Sequence, residues 1–131
     1  MGRAKFKTIP TDFESAATLK GETIAYATTV TRPSELEADV LQHGNIIATY
    51  TPEALTLDTC GYHTVSTSHR LDVLLTAYLG TPHSWRVAIS DFETVIRPQD
   101  RSVPAIPLRR ARITKGGALE VVTPDGSVRN P

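Results

Sequence analysis

The sequence predicts an α+β fold with about six short, mostly antiparallel strands and one principal helix packed on the sheet. Apolar residues recur at helical spacing between about residues 67 and 79, and shorter stretches alternate apolar and polar residues as half-buried strands do. Most of the nine prolines lie between these stretches, which indicates short elements joined by turns. A chain of 131 residues is long enough to form one domain around its own core.

Before the principal helix, the pattern predicts a short helical turn at 12–19 and a strand over 22–31. An antiparallel meander is expected over 39–58, with Gly44 and Asn45 in its first hairpin turn.

The principal helix is expected at about residues 67–79. Ser66 or Thr67 is the expected N-cap, because a hydroxyl there can accept a hydrogen bond from the first turn. Gly80 ends the helix, and Pro82 prevents it from resuming. One face of the 3.6-residue period carries the apolar residues Leu71, Leu74, Leu75, Tyr78 and Leu79.

After the helix, strands are expected over 85–90 and 94–97, and a last hairpin joins 108–114 to 118–123. A two-residue loop in that hairpin would mix polar and apolar residues on both faces. A three-residue loop ending at Gly117, which tolerates positive φ, separates an apolar face from a charged one. The register predicted for this loop opposes Ile113 to Leu119, Ala111 to Val121 and Arg112 to Glu120.

The segment from Thr59 to Asp72 resembles a motif of small tailed-bacteriophage proteins, T-G-G-Y-x-T-x-T-T-x-x-R-[IL]-N between an apolar strand and an apolar helix. Cys60 and Asp72 depart from it, because Gly and Asn are usual there. The resemblance implies a phage or prophage source and implies no particular activity. The matching positions are Thr59, Gly61, Tyr62, Thr64, Ser66, Thr67, Arg70 and Leu71.

The expected organisation is a single domain over 1–131, with a basic N-terminal arm at 1–11 and a loose tail at 124–131. Residues 1–96 hold seven Lys/Arg against eleven Asp/Glu, whereas 97–131 hold seven against three. No apolar run approaches the roughly 20 residues of a membrane helix, and the first residues do not form a secretory signal. The expected location is therefore the cytoplasm of an infected bacterium or the virion.

Enzymatic or metal chemistry is not expected from this sequence. Cys60 and His63 are weak metal candidates, with Asp58 and His69 nearby, but structural zinc sites usually show a second ligand pair. No phosphate-binding loop, dinucleotide fingerprint or nucleophile elbow is present. We therefore predict a protein without a cofactor.

The start of the principal helix is one candidate binding site. Ser66 and Thr67 offer hydroxyls beside free backbone N–H groups, and His69 and Arg70 add potential cationic donors. Such a helix start can hold a phosphate or carboxylate. In the alternative interpretation, Arg70 folds back onto a backbone carbonyl or onto a carboxylate such as Asp58 or Asp72.

A basic C-terminal segment is the other candidate. Arg110 and Arg112 would share the outer face of the last hairpin and could contact an acidic surface or follow phosphates, unless Arg112 simply pairs with Glu120. We expect a non-enzymatic protein that binds a host protein; the alternatives are nucleic-acid backbone binding and a structural role in the virion through self-association. The basic residues of the segment are Arg97, Arg101, Arg109, Arg110, Arg112 and Lys115.

Overall fold

The computed structural model describes residues 5–80, 85–99 and 104–131. In these ranges the chain forms two antiparallel sheets, a short helix α1 at Phe13–Thr18 and a long helix α2 at Val65–Leu79. The strands are Thr23–Ala25 (β1), Thr28–Ser34 (β2), Glu37–Gln42 (β3), Asn45–Tyr50 (β4), Ala54–Asp58 (β5), Trp85–Ser90 (β6), Glu93–Pro98 (β7), Ile106–Pro107 (β8), Arg110–Thr114 (β9), Leu119–Val122 (β10) and Val128–Arg129 (β11).

The larger sheet has eight strands in the order β1-β2-β3-β4-β5-β9-β10-β11, and the smaller one has the order β6-β7-β8. After β5 the chain leaves the large sheet, forms α2 and the small sheet, and returns to pair β9 with β5. The Thr59 N–H donates to the Arg109 carbonyl at 3.0 Å, which closes the base of this excursion. The helix start is therefore held where a central strand of the large sheet ends.

The predicted fold class is wrong. The chain is mostly β, with eleven described strands instead of about six and one main helix. The sequence pattern missed β8 and β11, because strands of two residues are too short to show an alternating pattern, and it merged β1 with β2 into one predicted strand. Strands β1 and β11 form the edges of the large sheet, where pairing on one side suffices.

The strand predicted over 22–31 is in fact a hairpin. The chain turns at Tyr26 and Ala27, and β1 pairs antiparallel with β2. Ala27 has a φ of 51°, in the left-handed region. No Gly, Pro, Asn or Asp lies between Glu22 and Thr31, so the sequence carries no local signal for this turn.

The last hairpin confirms the predicted register. Its residue pairs are those of the three-residue loop, and Gly117 has a φ of 88°. This register places Ala111 and Ile113 of β9 in the core and leaves Arg110 and Arg112 exposed. Further along, residues 128 and 129, which were expected in a loose tail, pair with β10.

The end of α2 was predicted correctly, whereas its start lies two residues earlier than expected. Thr64, and not Ser66 or Thr67, is the N-cap: its backbone is extended and its side chain accepts from the Thr67 N–H at 3.1 Å. Gly80 is the C-cap with a φ of 73°. The predicted apolar face is buried at Leu71, Leu74, Leu75 and Tyr78.

Two contacts position α2, one apolar and one ionic. Its apolar face packs into the core with the inward side chains of the large sheet, among them Leu55 and Leu57 of β5. On its other side, Asp72 accepts from the Arg86 guanidinium through both carboxylate oxygens, at 2.6 and 2.9 Å, and from the Val87 N–H. The helix is thereby fixed between the two sheets.

The N-terminal arm is described from residue 5, and it contacts the large sheet. The Lys7 N–H donates to the Ile24 carbonyl of β1, and Phe6 packs against the core. The structure describes no helix that is long and apolar enough to cross a membrane.

We expect a large effect on stability from shortening Leu57, because this side chain is fully buried on the inner face of the large sheet. We expect Leu57→Ala to lower the free energy of unfolding by about 2–5 kcal/mol, because it removes apolar contacts and leaves a cavity. Urea denaturation followed by circular dichroism measures this change. Leu36→Ala is the control: Leu36 is 65% exposed, and its loss should change stability by about 0.5 kcal/mol or less. Equal effects of the two variants would contradict the assigned core.

Candidate functional site

The first turn of α2 presents free backbone donors. Thr64 satisfies two N–H groups: its hydroxyl accepts from Thr67 N, and its carbonyl accepts from Ser68 N at 3.0 Å. The N–H groups of Val65 and Ser66 have no acceptor among the described residues. They lie at the positive end of the helix dipole, where a negatively charged group is stabilised.

Arg70, one turn further along α2, is 2% exposed. Its guanidinium donates to the Thr28 hydroxyl and to the Tyr26 carbonyl, at 2.8 Å each, and to the Ser66 carbonyl at 3.1 Å. Its Nη1 also donates to the Ser66 hydroxyl. These bonds connect the helix to the β1–β2 turn.

The acceptors of Arg70 are all neutral. Within residues 5–80, 85–99 and 104–131, no carboxylate forms an ion pair with it. Asp72 pairs with Arg86, and Asp58 lies 3.2 Å from the Nε of Arg109, so both carboxylates proposed as partners are engaged elsewhere. Burial lowers the pKa of Arg70 from its ordinary value, but a guanidinium stays charged at neutral pH. The site therefore holds a buried positive charge with no described counter-charge.

Gln42, at the end of β3, completes this polar network. Its side-chain amide donates to the Ser66 hydroxyl at 3.2 Å, and its side-chain oxygen accepts from the Thr67 hydroxyl at 3.1 Å. Gln42 and Thr67 are both buried. The amide thereby orients both hydroxyls at the helix start.

Backbone in the left-handed region brings these acceptors together. Ala27, with a φ of 51°, lies between Tyr26 and Thr28, the two residues of the β1–β2 turn that accept from Arg70. His43 has a φ of 50°, and its N–H donates to the Ala27 carbonyl at 2.9 Å. Non-glycine residues adopt this conformation at an energetic cost, which the surrounding hydrogen bonds offset here.

A cavity of about 420 Å³ opens beside the network. Its lining combines hydroxyl, amide, imidazole and phenol groups with one aliphatic side chain. The lining residues are Gln42, His43, Asn45, Ile47, Tyr62, Thr64, Ser66 and Thr67. The predicted binding residues Ser66 and Thr67 thus line a cavity, whereas Arg70 reaches it through Ser66.

His69 and Arg97, from the two predicted sites, line a second cavity together. It has a volume of about 320 Å³ and lies between α2 and the small sheet. The ion pair of Asp72 and Arg86 forms part of its wall. Arg101 lies outside the described residues.

The other basic residues lie next to carboxylates. Arg109 and Arg110 flank Asp58, with Nε–oxygen distances of 3.2 and 3.5 Å, and both are about half exposed. Lys115 lies 3.7 Å from the carboxylate of Asp12, the N-cap of α1. Arg112 is exposed opposite Glu120, the pairing considered as its alternative role. The basic segment is thus divided among separate contacts.

Arg112 belongs to a polar row that crosses the face of the large sheet opposite the core. Neighbouring strands contribute, in order, Asp39, Thr49, Thr56, Arg112 and Glu120. Asp39 is 7% exposed and accepts from the Thr49 hydroxyl at 2.8 Å. Burial, together with the charge of Glu37, raises the pKa of Asp39 despite the hydrogen bond from Thr49.

Cys60 and His63, the weak metal candidates, form hydrogen bonds with backbone groups. The Cys60 thiol donates to the Ile46 carbonyl at 3.1 Å, and His63 accepts through Nδ1 from the Thr94 N–H at 3.0 Å. Burial, then the neighbouring Asp58, raises the pKa of the thiol, which disfavours the reactive thiolate. Where the chain is described, no three His, Cys, Asp or Glu residues are grouped for a metal ion.

Sequence reasoning missed Tyr26, Thr28 and Gln42, which surround the helix start. They lie 24 to 44 residues before their partners on α2, so no local spacing reveals the contacts. The only available signal is Arg70 itself, a cation in the first half of an amphipathic helix with no carboxylate three or four residues away on its buried face.

The network around Arg70 predicts that a lysine cannot replace it. We expect Arg70→Lys to lower the free energy of unfolding by about 2 kcal/mol or more, because an ammonium group cannot reach all the separated acceptors that the planar guanidinium contacts. Urea denaturation measures the loss. Arg129→Lys, at an exposed position of β11, should leave stability within about 0.5 kcal/mol. A stable Arg70→Lys variant would show that the hydrogen bonds contribute little.

From the raised pKa of Asp39 we predict a specific pH dependence of the stability of the fold. Its raised pKa means that the folded chain holds the proton more tightly than the unfolded chain, so ionisation of Asp39 destabilises the fold as pH rises. We expect Asp39→Asn to be more stable than the parent protein at pH 7, with the difference vanishing below the ordinary pKa of 3.8. Denaturation series from pH 3 to pH 7 measure this difference.

Asp125 is the matched control, because its pKa is shifted in the opposite direction from that of Asp39. Hydrogen bonds from Thr123 and Ser127 lower its pKa to about 2, so its stabilising effect is present above 3.8 and is lost as pH falls through about 2. Asp125→Asn should therefore be less stable than the parent at pH 7. An Asp39→Asn variant that is also less stable at pH 7 would contradict the inferred shift.

Comparison with known proteins identifies the family. The chain matches the Kyanoviridae Gp96 protein family over residues 7–115, which is most of its length. No curated protein and no solved structure matches it significantly. The matched range includes α2, the polar network and the β9 arginines, and the family supports the phage source that the motif implied. The chain belongs to the Kyanoviridae Gp96 protein family, a bacteriophage protein family.

Proposed function

We propose that the chain is a non-enzymatic phage accessory protein that binds a host protein through the outer face of its C-terminal hairpin. The outer face consists of the side chains of β5, β9 and β10 that point away from the core. These residues are Thr56, Asp58, Arg110, Arg112, Glu120 and Val122. Membership of a phage protein family supports a role during infection.

The observation that carries this proposal is the alternation of charge on the outer face. Arg110 lies beside Asp58 and Arg112 lies beside Glu120, so positive and negative groups alternate across three neighbouring strands. A mixed pattern of this kind gives specificity toward a protein surface with the complementary pattern. A surface that follows nucleic-acid phosphates instead collects Lys and Arg without interleaved carboxylates.

The surroundings of Arg110 also favour a protein partner. A shallow hollow of about 360 Å³ lies beside it, between Ile46 and Asp58. Ile46 is 46% exposed and offers apolar area next to the arginine. Protein interfaces commonly combine an apolar centre, arginine and a polar rim. Arg97 lies in the small sheet and is not part of the proposed surface.

A pull-down from host lysate tests the proposal with the double variant Arg110→Ala/Arg112→Ala. We expect the parent protein to retain a host protein and the variant to lose at least 90% of it, since arginines at the centre of an interface typically dominate binding. Lys7→Ala/Lys20→Ala is the matched control: both lysines are exposed, lie away from the hairpin and change the net charge equally. Circular dichroism verifies that each variant is folded.

Nuclease treatment and size-exclusion chromatography distinguish the other functions. If the retained host proteins are lost after nuclease treatment, the result would favour binding of nucleic-acid phosphates. Self-association alone, weakened by salt, would favour a structural role in the virion. Equal retention by the parent and the Arg110/Arg112 variant would exclude the outer face as the binding surface.

A further inference from the structure

One edge of the small sheet carries backbone groups that have no strand beside them. Among the described strands, β6 pairs with β7 on one side only. Its residue Ile89 lies opposite Thr94 of β7. The Thr94 N–H donates to the His63 imidazole at 3.0 Å, and the Thr94 carbonyl accepts from the Leu108 N–H at 2.9 Å. Ile89 and Thr94 are therefore a pair without mutual hydrogen bonds, and the N–H and carbonyl of Ile89 point away from β7.

This side of β6 is covered by α2 at Val87 and left open at Ile89. The Val87 N–H donates to the Asp72 carboxylate of α2 at 2.9 Å. Backbone groups two residues apart in an antiparallel strand point the same way, so the Ile89 N–H faces the same side. Neither the N–H nor the carbonyl of Ile89 has a hydrogen-bond partner in the part of the chain that the structure describes. The edge is thus free to pair with another strand at Ile89.

A groove of about 320 Å³ separates this edge from the first half of α2. Val65 on the helix side is 52% exposed and offers apolar contact area. An extended peptide that lies between a strand edge and a helix can pair its backbone with the strand and place alternate side chains in the groove. The lining includes Val65, Ser68 and His69 of α2 and Val87, Ile89 and Arg97 of the small sheet.

The charges in the groove indicate which peptide would fit. Asp72 is the only carboxylate in the lining, and it is bound by the Arg86 guanidinium and by the Val87 N–H. Arg97 forms no ion pair with any described carboxylate, and its Nη1 donates only to the Pro98 carbonyl at 3.3 Å. The groove therefore has a positive charge that is not neutralised, which favours a partner with a carboxylate there.

We propose that the groove between β6 and α2 binds an extended segment of a partner protein that pairs with Ile89 and places a carboxylate side chain beside Arg97. The unpaired backbone groups of an edge strand attract another strand, and the helix limits which strands can enter. This site lies on the small sheet, apart from the outer face of the large sheet, and does not depend on the function proposed for that face.

Titration of the 15N-labelled protein with two blocked peptides tests the proposal. One peptide alternates glutamate with valine, and the other alternates lysine with valine. We expect the glutamate peptide to shift the Ile89 amide signal in a saturable way and to slow the hydrogen exchange of the Ile89 N–H, because this N–H gains an acceptor. The lysine peptide should bind at least tenfold more weakly, because it places a like charge beside Arg97.

Ile89→Pro and Ile89→Val are the matched variants for backbone pairing. Proline removes the N–H that faces the open side and no N–H that bonds to β7, so the pairing of β6 with β7 is retained. We expect Ile89→Pro to weaken binding of the glutamate peptide about tenfold or more, because the donor is lost and the proline ring occupies the edge. Ile89→Val keeps the N–H and should leave binding within about threefold. Circular dichroism verifies that each variant is folded.

Arg97→Gln tests the charge of the groove and leaves the backbone edge unchanged. We expect this variant to bind the glutamate and lysine peptides with affinities that differ by less than about threefold, because the positive charge is gone. Arg129→Gln, at an exposed position of β11, changes the net charge equally and should retain the preference for glutamate.

Four results would overturn the proposal. They are the absence of a saturable Ile89 shift with the glutamate peptide at millimolar concentrations, equal affinity of the parent for both peptides, unchanged affinity in Ile89→Pro, and protection of the Ile89 N–H that grows with protein concentration alone. The last result would assign the edge to a second copy of the chain. These readouts do not involve Arg110 or Arg112, so their failure is distinguishable from failure of the proposed binding through the outer face.

Discussion

The buried guanidinium of Arg70 is the interaction on which the centre of this structure depends. Removing a charge from water is costly unless hydrogen bonds replace its hydration, and here the Thr28 hydroxyl, the Tyr26 carbonyl and Ser66 do so. These acceptors come from the β1–β2 turn and from α2 itself. Arg70 consequently fixes the helix start relative to one edge of the large sheet, although the helix and that turn are far apart in sequence.

Several local features follow from the need for hydrogen bonds that replace the hydration of the buried Arg70 guanidinium. The left-handed backbone at Ala27 brings the Tyr26 carbonyl and the Thr28 hydroxyl toward the same guanidinium. The same turn separates β1 from β2, so that the two strands form a hairpin. Ser66, whose hydroxyl and carbonyl both accept from Arg70, also lines the cavity beside α2. The contact between Arg70 and Ser66 therefore places the buried positive charge next to this cavity, while the outer face carries both positive and negative groups.

Local patterns in the sequence predicted the elements whose structure depends on interactions between residues that are close in sequence. The last hairpin was predicted correctly to its register, since only one loop length pairs the apolar Ala111 and Ile113 with the apolar Val121 and Leu119. The C-terminal end of α2 followed from Gly80. The strand count failed because the short strands are stabilised by neighbours rather than by their own pattern. Of the candidate site, Ser66 and Thr67 were predicted, but Gln42 was not, because its contacts exist only after the chain has folded.

The most direct measurement for the central claim is 15N NMR of the arginine side chains. A guanidinium held by several acceptors in the protein interior rotates slowly and exchanges its protons slowly with water. Arg70 should therefore show separate, exchange-protected Nε and Nη signals at neutral pH, whereas the exposed Arg129 should show averaged ones. Averaged, rapidly exchanging signals for Arg70 would contradict the account, because a mobile, hydrated guanidinium could not fix α2 relative to the β1–β2 turn.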